Sequence, residues 1–314
     1  MTDTTDICVV VATRNRPEQA IACARSILGC TGPSFEVVFV DQSEGPETGR
    51  RLEELHDPRL RHVAGPRLGI SAGRNVGIAD SETPLVAFTD DDCRVPPDWL
   101  ARIVGHFSAE PETAVLFGRV RVPNDLPADA FAASFEAEVL DCKADLSGGF
   151  PSLGIGANFA ARREALRRVG PFDEGLGVGT AMKAGEEFDF IFRALASGLA
   201  IRNTRDVELL HLGVRRGHDV DSLRLGYVRG TAACLAKHAR LGDTPVRRFL
   251  VRLTRDYLLA VFEAARSRRR PLGLRWLGAH ALGLAAAFTY GVDRDPRLFI
   301  DRRTGAPVRG RSPA

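Results

Sequence analysis

Short apolar runs alternate with helix-like segments through the first hundred residues of the chain. Residues 7–12 are almost continuously apolar, as expected of a parallel strand that is buried on both faces. Further strand-like segments follow at 36–41, 61–63 and 85–89, and residues 17–28 repeat their apolar positions at helical spacing. The alternation predicts an α/β fold with an open, mostly parallel sheet that is flanked by helices.

Polar side chains stand where several of these strands end. Thr13 and Arg14 follow the first strand, Asp41 ends the second, and three consecutive aspartates at 90–92 follow the fourth. Ligands of open α/β sheets bind outside the carboxyl ends of the strands. The sequence therefore predicts a single binding site at this edge of the sheet.

The three aspartates, Asp90, Asp91 and Asp92, have two interpretations. Like charges that lie this close repel one another, and a divalent cation such as Mg²⁺ or Mn²⁺ relieves the repulsion because it prefers hard carboxylate oxygens. The alternative is a helix N-terminal turn, in which aspartates cap free backbone N–H groups and interact favourably with the helix dipole. The residues alone leave both interpretations open.

The pattern changes after residue 101. The predicted elements are strands at 115–122, 155–160 and 207–211 and helices at 128–140, 162–169 and 186–195. The last strand ends in His211, and the last helix has acidic residues in its first turn, as the dipole favours. From residue 219 onward the sequence predicts helices, and its last dozen residues are predicted to be disordered.

The charge is distributed unevenly. The net charge is +3, but the residues from Arg240 onward contain 16 arginines and 6 acidic residues, which leaves a net charge of −7 on the rest of the chain. A basic tail on an acidic body indicates contact with an anionic surface. No nucleic acid partner is expected, since the tail has no recognisable nucleic-acid-binding motif, and an anionic lipid surface fits at least as well.

One C-terminal segment is strongly apolar. Residues 276–292 are shorter than the roughly 20 residues that a membrane-spanning helix needs. With the basic run before them, they form a segment, 266–292, that would make peripheral membrane contact as an interfacial helix or would be an ordinary packing helix.

The cysteines and the N-terminus indicate a cytoplasmic protein. The six cysteines are scattered without paired short spacing, which favours reduced thiols over a disulfide framework or a zinc site. The N-terminal residues contain no basic start followed by an apolar run, so we expect no secretory signal there. We therefore expect a cytoplasmic protein, with the interfacial alternative placing it at the inner face of the membrane.

Taken in order, the short motifs resemble those of the family 2 glycosyltransferases, inverting enzymes of the GT-A fold. The motifs that carry the resemblance are residues 9–16, 40–43, 69–75, 88–92, 156–159, 170–174, 185–189 and 210–211. Each motif alone is weak, but the ordered set, which covers roughly residues 7–215, is specific. The resemblance implies a Rossmann-like GT-A domain at 1–215, with a nucleotide-sugar half at 1–122 and an acceptor and catalytic half at 123–215. Residues 216–314 then form a basic helical extension with a disordered tail.

The resemblance also implies a donor and a metal ion. The donor is a nucleoside-diphosphate sugar, and the metal is Mg²⁺ or Mn²⁺. The residues implied in nucleotide and phosphate binding are Thr13, Arg14, Asp41, Arg74, Asp90 and Asp91. Asp92 matches a metal ligand and His211 matches a position that completes the metal shell. Their ordinary alternatives are a turn former for Asp41, surface charges for Arg14 and Arg74, and a structural histidine for His211.

The implied reaction is transfer of a hexosyl or deoxyhexosyl group to a hydroxyl acceptor in polysaccharide or cell-envelope biosynthesis. The acceptor is a saccharide, a lipid-linked saccharide or a small molecule. Glu187 matches the general base, although the commoner residue there is Asp, so Glu186 and Asp189 remain alternatives. Gly156, Asn158 and Glu186 are implied to contact the donor sugar or the acceptor. The competing classes are a sugar-1-phosphate nucleotidyltransferase and a non-catalytic nucleotide-sugar-binding protein.

Overall fold

A nine-stranded mixed sheet forms the centre of the protein in the computed structural model. The structure describes residues 5–65, 68–127, 129–137, 140–142, 153–266 and 272–309. The strands are β1 (Ile7–Thr13), β2 (Phe35–Asp41), β3 (Leu60–Ala64), β4 (Leu85–Asp90), β5 (Cys93–Arg94), β6 (Thr113–Arg121), β7 (Ala130–Phe131), β8 (Leu140–Cys142), β9 (Asn158–Arg162), β10 (Ala200–His211), β11 (Arg215–Arg216), β12 (Gly291–Val292) and β13 (Phe299–Ile300). The helices are α1 (Pro17–Leu28), α2 (Glu47–Glu53), α3 (Ile70–Ala79), α4 (Trp99–Ala109), α5 (Arg163–Val169), α6 (Glu186–Ala196), α7 (His218–Arg240), α8 (Thr244–Arg266) and α9 (Leu272–Thr289).

The sheet has the order β3-β2-β1-β4-β9-β6-β10-β5, and β8 pairs with β10. The first four strands in this order are parallel, whereas β9 lies antiparallel between β4 and β6. The predicted α/β fold with a C-terminal helical region is therefore correct, but half of the eight strand pairings are antiparallel. A buried apolar run has the same sequence pattern in either direction, so the pattern does not specify the direction of β9.

Alternate residues of the strands face two apolar layers. Val9 and Val11 of β1 lie in the layer that contains Trp99 of α4, and Val10 lies in the opposite layer. In that second layer the Phe88 and Phe159 rings stack with their centroids 4.4 Å apart. This packing fixes the register of the strands, because a shift of one residue would exchange the two faces.

The segment from 128 to 140 is not the predicted helix where the structure describes it. Ala130–Phe131 forms β7, which pairs with β11, and Phe135 makes a β-bridge to Val120. Phe131 and Phe135 thus lie in strand pairings with other elements of the fold. These tertiary contacts outweigh the weak local preference for a helix. Residues 143–152 lie outside the described residues.

The C-terminal residues up to 309 fold back onto the helical extension. β12 pairs with β13, Ile300 bridges to Pro307, and the Val308 N–H donates to the Phe299 carbonyl at 2.8 Å. Residues 303–309, predicted to be disordered, are therefore held by hydrogen bonds, and residues 310–314 lie outside the described part of the chain. Among the described helices, none combines the length and the apolarity needed to cross a bilayer.

Candidate active site

A cleft of about 800 Å³ opens at the carboxyl ends of β1 and β4. It lies where the sequence predicts the binding site. Ten of the twelve predicted site residues line it: Thr13, Arg14, Arg74, Asp90, Asp91, Asp92, Gly156, Glu186, Glu187 and His211. The fold thus brings together side chains from both halves of the domain, and only Asp41 and Asn158 stand apart.

Asp41 is buried at the end of β2. Its Oδ1 atom accepts a hydrogen bond from the Ser43 N–H at 2.9 Å, and its Oδ2 atom lies 3.4 Å from Nε2 of His62. The next residue, Gln42, lines the cleft instead. The turn-forming alternative describes what Asp41 does in this structure, and recognition of a base by Asp41 stays a prediction.

Asn158 is fully buried and joins three strands. Its Oδ1 atom accepts a hydrogen bond from Trp99 Nε1 at 3.1 Å. Its Nδ2 atom donates to the carbonyl oxygens of Arg119 and Val207. Both amide hydrogens and the amide oxygen have partners in the sheet and on α4, so Asn158 ties β9 to β6 and β10. The predicted sugar contact of Asn158 stays a prediction, and this structure does not place Asn158 in the cleft lining.

The aspartates at the end of β4 do not cap a helix, because α4 begins only at Trp99. Thr13 Oγ1 donates to Asp91 Oδ2 at 2.8 Å, and Arg16 Nη1 donates to Asp91 Oδ1 at 3.0 Å and to Asp92 Oδ2 at 3.2 Å. Burial raises the pKa of Asp90 to about 6, and Asp92 and Asp91 add to the rise against the lowering effect of Arg74. The concentration of negative charge that the sequence predicts is therefore present in the folded protein.

Asp92 and His211 form a pair of potential metal-ligand side chains. His211 Nε2 lies 3.2 Å from Asp92 Oδ1, while Nδ1 lies 2.9 Å from the Ala133 carbonyl. Because a carbonyl only accepts, Nδ1 carries a proton, and Nε2 is the ring nitrogen that faces the carboxylate. Burial lowers the pKa of His211, but the pairing with Asp92 raises it more.

The surroundings of this pair suit a hard divalent cation. A Cβ atom on Gly213 would lie 2.4 Å from Asp92 Oδ2 and 2.7 Å from His211 Nε2, so the glycine leaves this space clear. Cys93 lies opposite His211 in the sheet, but burial raises the pKa of its thiol well above the usual value. The potential metal ligands here are therefore the Asp92 carboxylate and the His211 imidazole, which a backbone carbonyl orients.

Arg74 connects the aspartates to the second half of the domain. Its nearly buried guanidinium donates from Nη2 to the Gly156 carbonyl at 3.1 Å. Nη2 lies 3.9 Å from Asp90 Oδ1 and Nη1 lies 3.6 Å from Glu186 Oε1. Nη1 makes no hydrogen bond within the described residues. Arg74 is thus a buried cationic group in the cleft that can still donate a hydrogen bond from Nη1.

Glu187 is oriented by the backbone of the turn that precedes β9. The Gly156 N–H donates to Glu187 Oε1 at 3.1 Å. A Cβ atom on Gly156 would lie 2.4 Å from that oxygen and 2.3 Å from Arg74 Nη2. Glycine at 156 therefore allows Glu187 and Arg74 to approach the same backbone segment from either side.

Comparison with known sequences identifies the family. Residues 8–170, more than half of the chain, match the profile described as Glycosyl transferase family 2. The chain belongs to this family. The match confirms the predicted resemblance, and it favours a glycosyltransferase over the nucleotidyltransferase and the non-catalytic alternatives.

Two relatives of this family 2 glycosyltransferase show how far the similarity extends. The Pre-mycofactocin glycosyltransferase of Mycobacterium tuberculosis is 28% identical over 211 residues, which cover 63% of this chain and 40% of that protein. The Succinoglycan biosynthesis protein ExoO of Rhizobium meliloti is 33% identical over 100 residues, which cover 32% of this chain and 29% of that protein. The chain thus spans less than half the length of either relative.

Solved structures share the fold. The mannosyltransferase PcManGT from Pyrobaculum calidifontis, in complex with GDP-Man and Mn²⁺, superposes with a TM-score of 0.59 at 20% identity over 92% of this chain and 77% of that one. Residues 1–349 of S. aureus TarS, in complex with UDP-GlcNAc, superpose with a TM-score of 0.57 at 18% identity over 90% and 81% of the two chains. The likeness confirms the predicted GT-A fold.

The glycosyltransferase cleft also contains side chains that the sequence analysis missed. Arg16 contacts two of the aspartates, whereas Arg14 pairs with Glu44 at 2.7 Å near the opening. Every fourth residue along one part of α7 lines the cleft from the C-terminal helical extension; these residues are Leu223, Tyr227 and Thr231. This spacing places them on one helix face, which was a usable signal in the sequence.

Asp189 is excluded from the cleft of this glycosyltransferase. It is fully buried and lies 2.9 Å from Arg193 Nε, 2.5 Å from Lys237 Nζ and 2.8 Å from His238 Nε2. Burial opposes its charge, but these partners, Lys237 foremost, hold the pKa of Asp189 well below the usual range. Asp189 therefore anchors α6 to α7, and it is no longer an alternative for the base.

Glu186 has a strongly raised pKa. Burial, reinforced by Glu187, raises the pKa of Glu186 to about 8 in spite of Arg74. At neutral pH Glu186 therefore carries a proton. Glu187 is the carboxylate of the two that accepts the backbone hydrogen bond from Gly156.

The raised pKa of Glu186 predicts a pH-dependent stability. Glu186 ionises near its ordinary 4.5 in the unfolded chain and near 8 in the folded protein, so the folded state holds an extra proton between these values. Its stabilising contribution is complete below pH 4.5 and is lost as the pH rises through 8. We expect the free energy of unfolding of Glu186→Gln to gain on the order of 3 kcal/mol over wild type between pH 5 and pH 8.5. Urea unfolding at several pH values measures the difference, and a difference that does not change with pH would contradict the assignment.

Proposed function

We propose that this family 2 glycosyltransferase transfers a hexosyl or deoxyhexosyl group, with inversion, from a nucleoside-diphosphate sugar to a hydroxyl acceptor. The observation that carries the proposal is the shared cleft. The Glu187 carboxylate, oriented by Gly156, lies in the same cavity as the Asp92–His211 pair and the buried Arg74. Such a transfer requires a carboxylate that acts as a base, a site for a metal ion and a positively charged side chain that binds phosphate.

The donor lies against the parallel half of the sheet. Its nucleotide occupies the part of the cleft near Thr13 and Arg14, with Asp41 toward the base and Asp90 toward the ribose. Arg74 offers the diphosphate its Nη1 donor, which makes no hydrogen bond within the described residues. The related structures that hold GDP-Man and UDP-GlcNAc support a nucleotide-sugar donor of this kind.

Asp92 and His211 would hold Mg²⁺ or Mn²⁺, and Asp91 stabilises the local arrangement through Thr13 and Arg16. When bound, the ion acts as a Lewis acid that neutralises charge on the leaving diphosphate. The carboxylate and imidazole donors, the space kept by Gly213 and the backbone anchor on His211 support this assignment. The Mn²⁺ in the related mannosyltransferase agrees with it.

Glu187 acts as the general base. It accepts the proton of the acceptor hydroxyl as the oxygen attacks the anomeric carbon from the face opposite the leaving diphosphate, which inverts the anomeric configuration. Glu186, which carries a proton at neutral pH, and Gly156 contact the donor sugar or the acceptor. The acceptor, whether a saccharide, a lipid-linked saccharide or a small molecule, meets the α7 wall of Leu223 and Tyr227. The names of the relatives favour biosynthesis of polysaccharides or small molecules.

Metal removal tests the proposed role of Asp92 and His211. We expect EDTA to abolish sugar transfer and added Mn²⁺ or Mg²⁺ to restore it. A panel of UDP-, GDP- and dTDP-sugars, screened by thermal shift with Mn²⁺, should contain a ligand that raises the melting temperature, because it binds only the folded state. We expect His211→Ala to require about tenfold or more Mn²⁺ for half-maximal activity, in the range seen when metal-site groups are removed.

His106→Ala is the matched control, since His106 pairs with Asp206 on the protein surface away from the cleft. Its Mn²⁺ requirement should equal that of wild type. Full activity in EDTA would contradict the metal assignment, and the absence of a shift with every donor would contradict the nucleotide-sugar assignment.

A further inference from the structure

The exposed surface of α8 is unusually apolar. Val251 is 69% exposed, Phe262 66% and Leu258 52%, and Leu259 beside them is 49% exposed. Seven of the ten large apolar side chains exposed in the described part of the chain lie on α8 and α9. Single exposed apolar residues are ordinary, but a concentration of them marks a contact surface.

These α8 residues lie on one face together with arginines. The exposed positions at helical spacing are Arg248, Val251, Arg252, Arg255, Leu258, Leu259, Phe262 and Arg266, which we call the α8 stripe. The α8 stripe contains four arginines and no acidic residue, while Asp256 and Glu263 are exposed beside it. Arg255 pairs with Asp256 at its edge, an exposed pair that neutralises little.

The apolar residues of the stripe are not needed to pack α8. The opposite side of the helix already contacts the domain through Val246, with Leu250 and Leu253 packed against the cluster of Phe192 and Leu235. The helix is therefore apolar on the side that packs and on the side that faces solvent. Such a second apolar face costs solubility unless it is covered by a partner.

The chemistry of the stripe fits an anionic lipid surface. Arginines that alternate with Leu and Phe on one helix face bind lipid phosphates while the apolar side chains enter the boundary between headgroups and acyl chains. The neighbouring α9 contains no acidic residue and exposes Leu274, Leu282 and Phe288. Three arginines at 268–270 follow α8 in the sequence and add positive charge.

Two other occupants fit less well. A second copy that docked through the same stripe would bring four arginines against four arginines, with only Asp256 and Glu263 beside each stripe to offset them. A nucleic acid would satisfy the arginines but would leave the Leu and Phe side chains without contacts. We propose that the α8 stripe docks this glycosyltransferase on an anionic membrane surface as a peripheral, interfacial helix, independently of which donor or acceptor it uses.

Vesicle co-sedimentation tests the proposal with the full chain. We expect binding to vesicles of phosphatidylcholine with 30% phosphatidylglycerol, weak or no binding to pure phosphatidylcholine, and loss of binding in high salt, because exposed charges are screened. Leu258→Ser/Phe262→Ser should reduce the partition coefficient at least about tenfold, as expected for two large side chains that no longer leave water. Arg248→Gln/Arg252→Gln should reduce binding to anionic vesicles by a similar factor.

Arg50→Gln/Arg167→Gln is the matched control, because it removes two exposed arginines from other parts of the surface. It should leave vesicle binding within about twofold of wild type, and thermal unfolding should show that every variant is folded. Equal losses for the control and the stripe variants would overturn the proposal, as would failure of wild type to bind anionic vesicles. A wild-type dimer that Leu258→Ser/Phe262→Ser converts to a monomer, without vesicle binding by either, would identify the stripe as a self-association surface instead.

Discussion

Replacement of Glu187 by Gln is expected to lower the rate of sugar transfer by about 10²- to 10⁴-fold, the usual contribution of a positioned general base. The amide keeps the size of the side chain, and its oxygen still accepts the hydrogen bond from the Gly156 N–H. It has no basic oxygen to take the proton from the acceptor hydroxyl. Glu187 is proposed to act on the acceptor hydroxyl and not on the donor. The dissociation constant of the donor should therefore stay within about twofold of wild type. Single-turnover transfer and calorimetric donor binding measure the two effects separately.

Glu186→Gln is the matched control for this experiment. Glu186 is already protonated at neutral pH, so Gln reproduces both its shape and its charge state. We expect transfer at pH 7 to remain within a few-fold of wild type. If Glu186→Gln abolishes transfer and Glu187→Gln does not, the roles of the two residues are reversed and Glu186 is the base.

Replacement of Lys237 by Met is expected to lower the free energy of unfolding by about 3–5 kcal/mol, as for removal of one partner from a buried ion pair. Lys237 Nζ is fully buried between Asp173 Oδ2 at 2.7 Å and Asp189 Oδ1 at 2.5 Å. Burial opposes its charge, but the two carboxylates raise the pKa of Lys237 above the usual value. Without the ammonium group, both carboxylates would remain buried with less compensation. Urea unfolding of wild type and variant gives the difference.

Lys183→Met serves as the control, since this lysine is exposed and its loss removes the same charge without uncovering a buried carboxylate. It should change the free energy of unfolding by less than about 0.5 kcal/mol. The Lys237→Met result also bears on a second candidate metal cluster, Asp189 with Cys234 and His238. If added Zn²⁺ stabilises Lys237→Met more than wild type, the ammonium of Lys237 occupies the position of the cation in this cluster.

The local sequence was sufficient for much of the fold. The strands β1, β2 and β4 and helix α1 were predicted because a buried strand and an amphipathic helix each leave a periodic pattern within one short segment. The pattern failed in 128–140, where Phe131 and Phe135 contact strands far away in the sequence. Helical spacing in such a segment records only that the side chains are apolar.

The site was predicted to a similar extent. The polar residues at the strand ends, Thr13 and Asp90 among them, were found because the carboxyl ends of parallel strands share an edge. Glu187 and His211 were assigned only through the family motifs. Neither motifs nor pattern could show that Asn158 turns its amide into the sheet, because its three partners lie on α4, β6 and β10.

The sequence by itself determined the α/β order of elements, the cluster of acidic side chains at one sheet edge and the family. These features depend on residues that are neighbours in the chain or on motifs in a fixed order. Only the tertiary structure decided the antiparallel placement of β9, the raised pKa of Glu186, and the burial of Asp189 against Lys237. Each of these depends on which distant groups surround a side chain, since desolvation and nearby charges set its protonation and its hydrogen bonds, and no short segment contains that information.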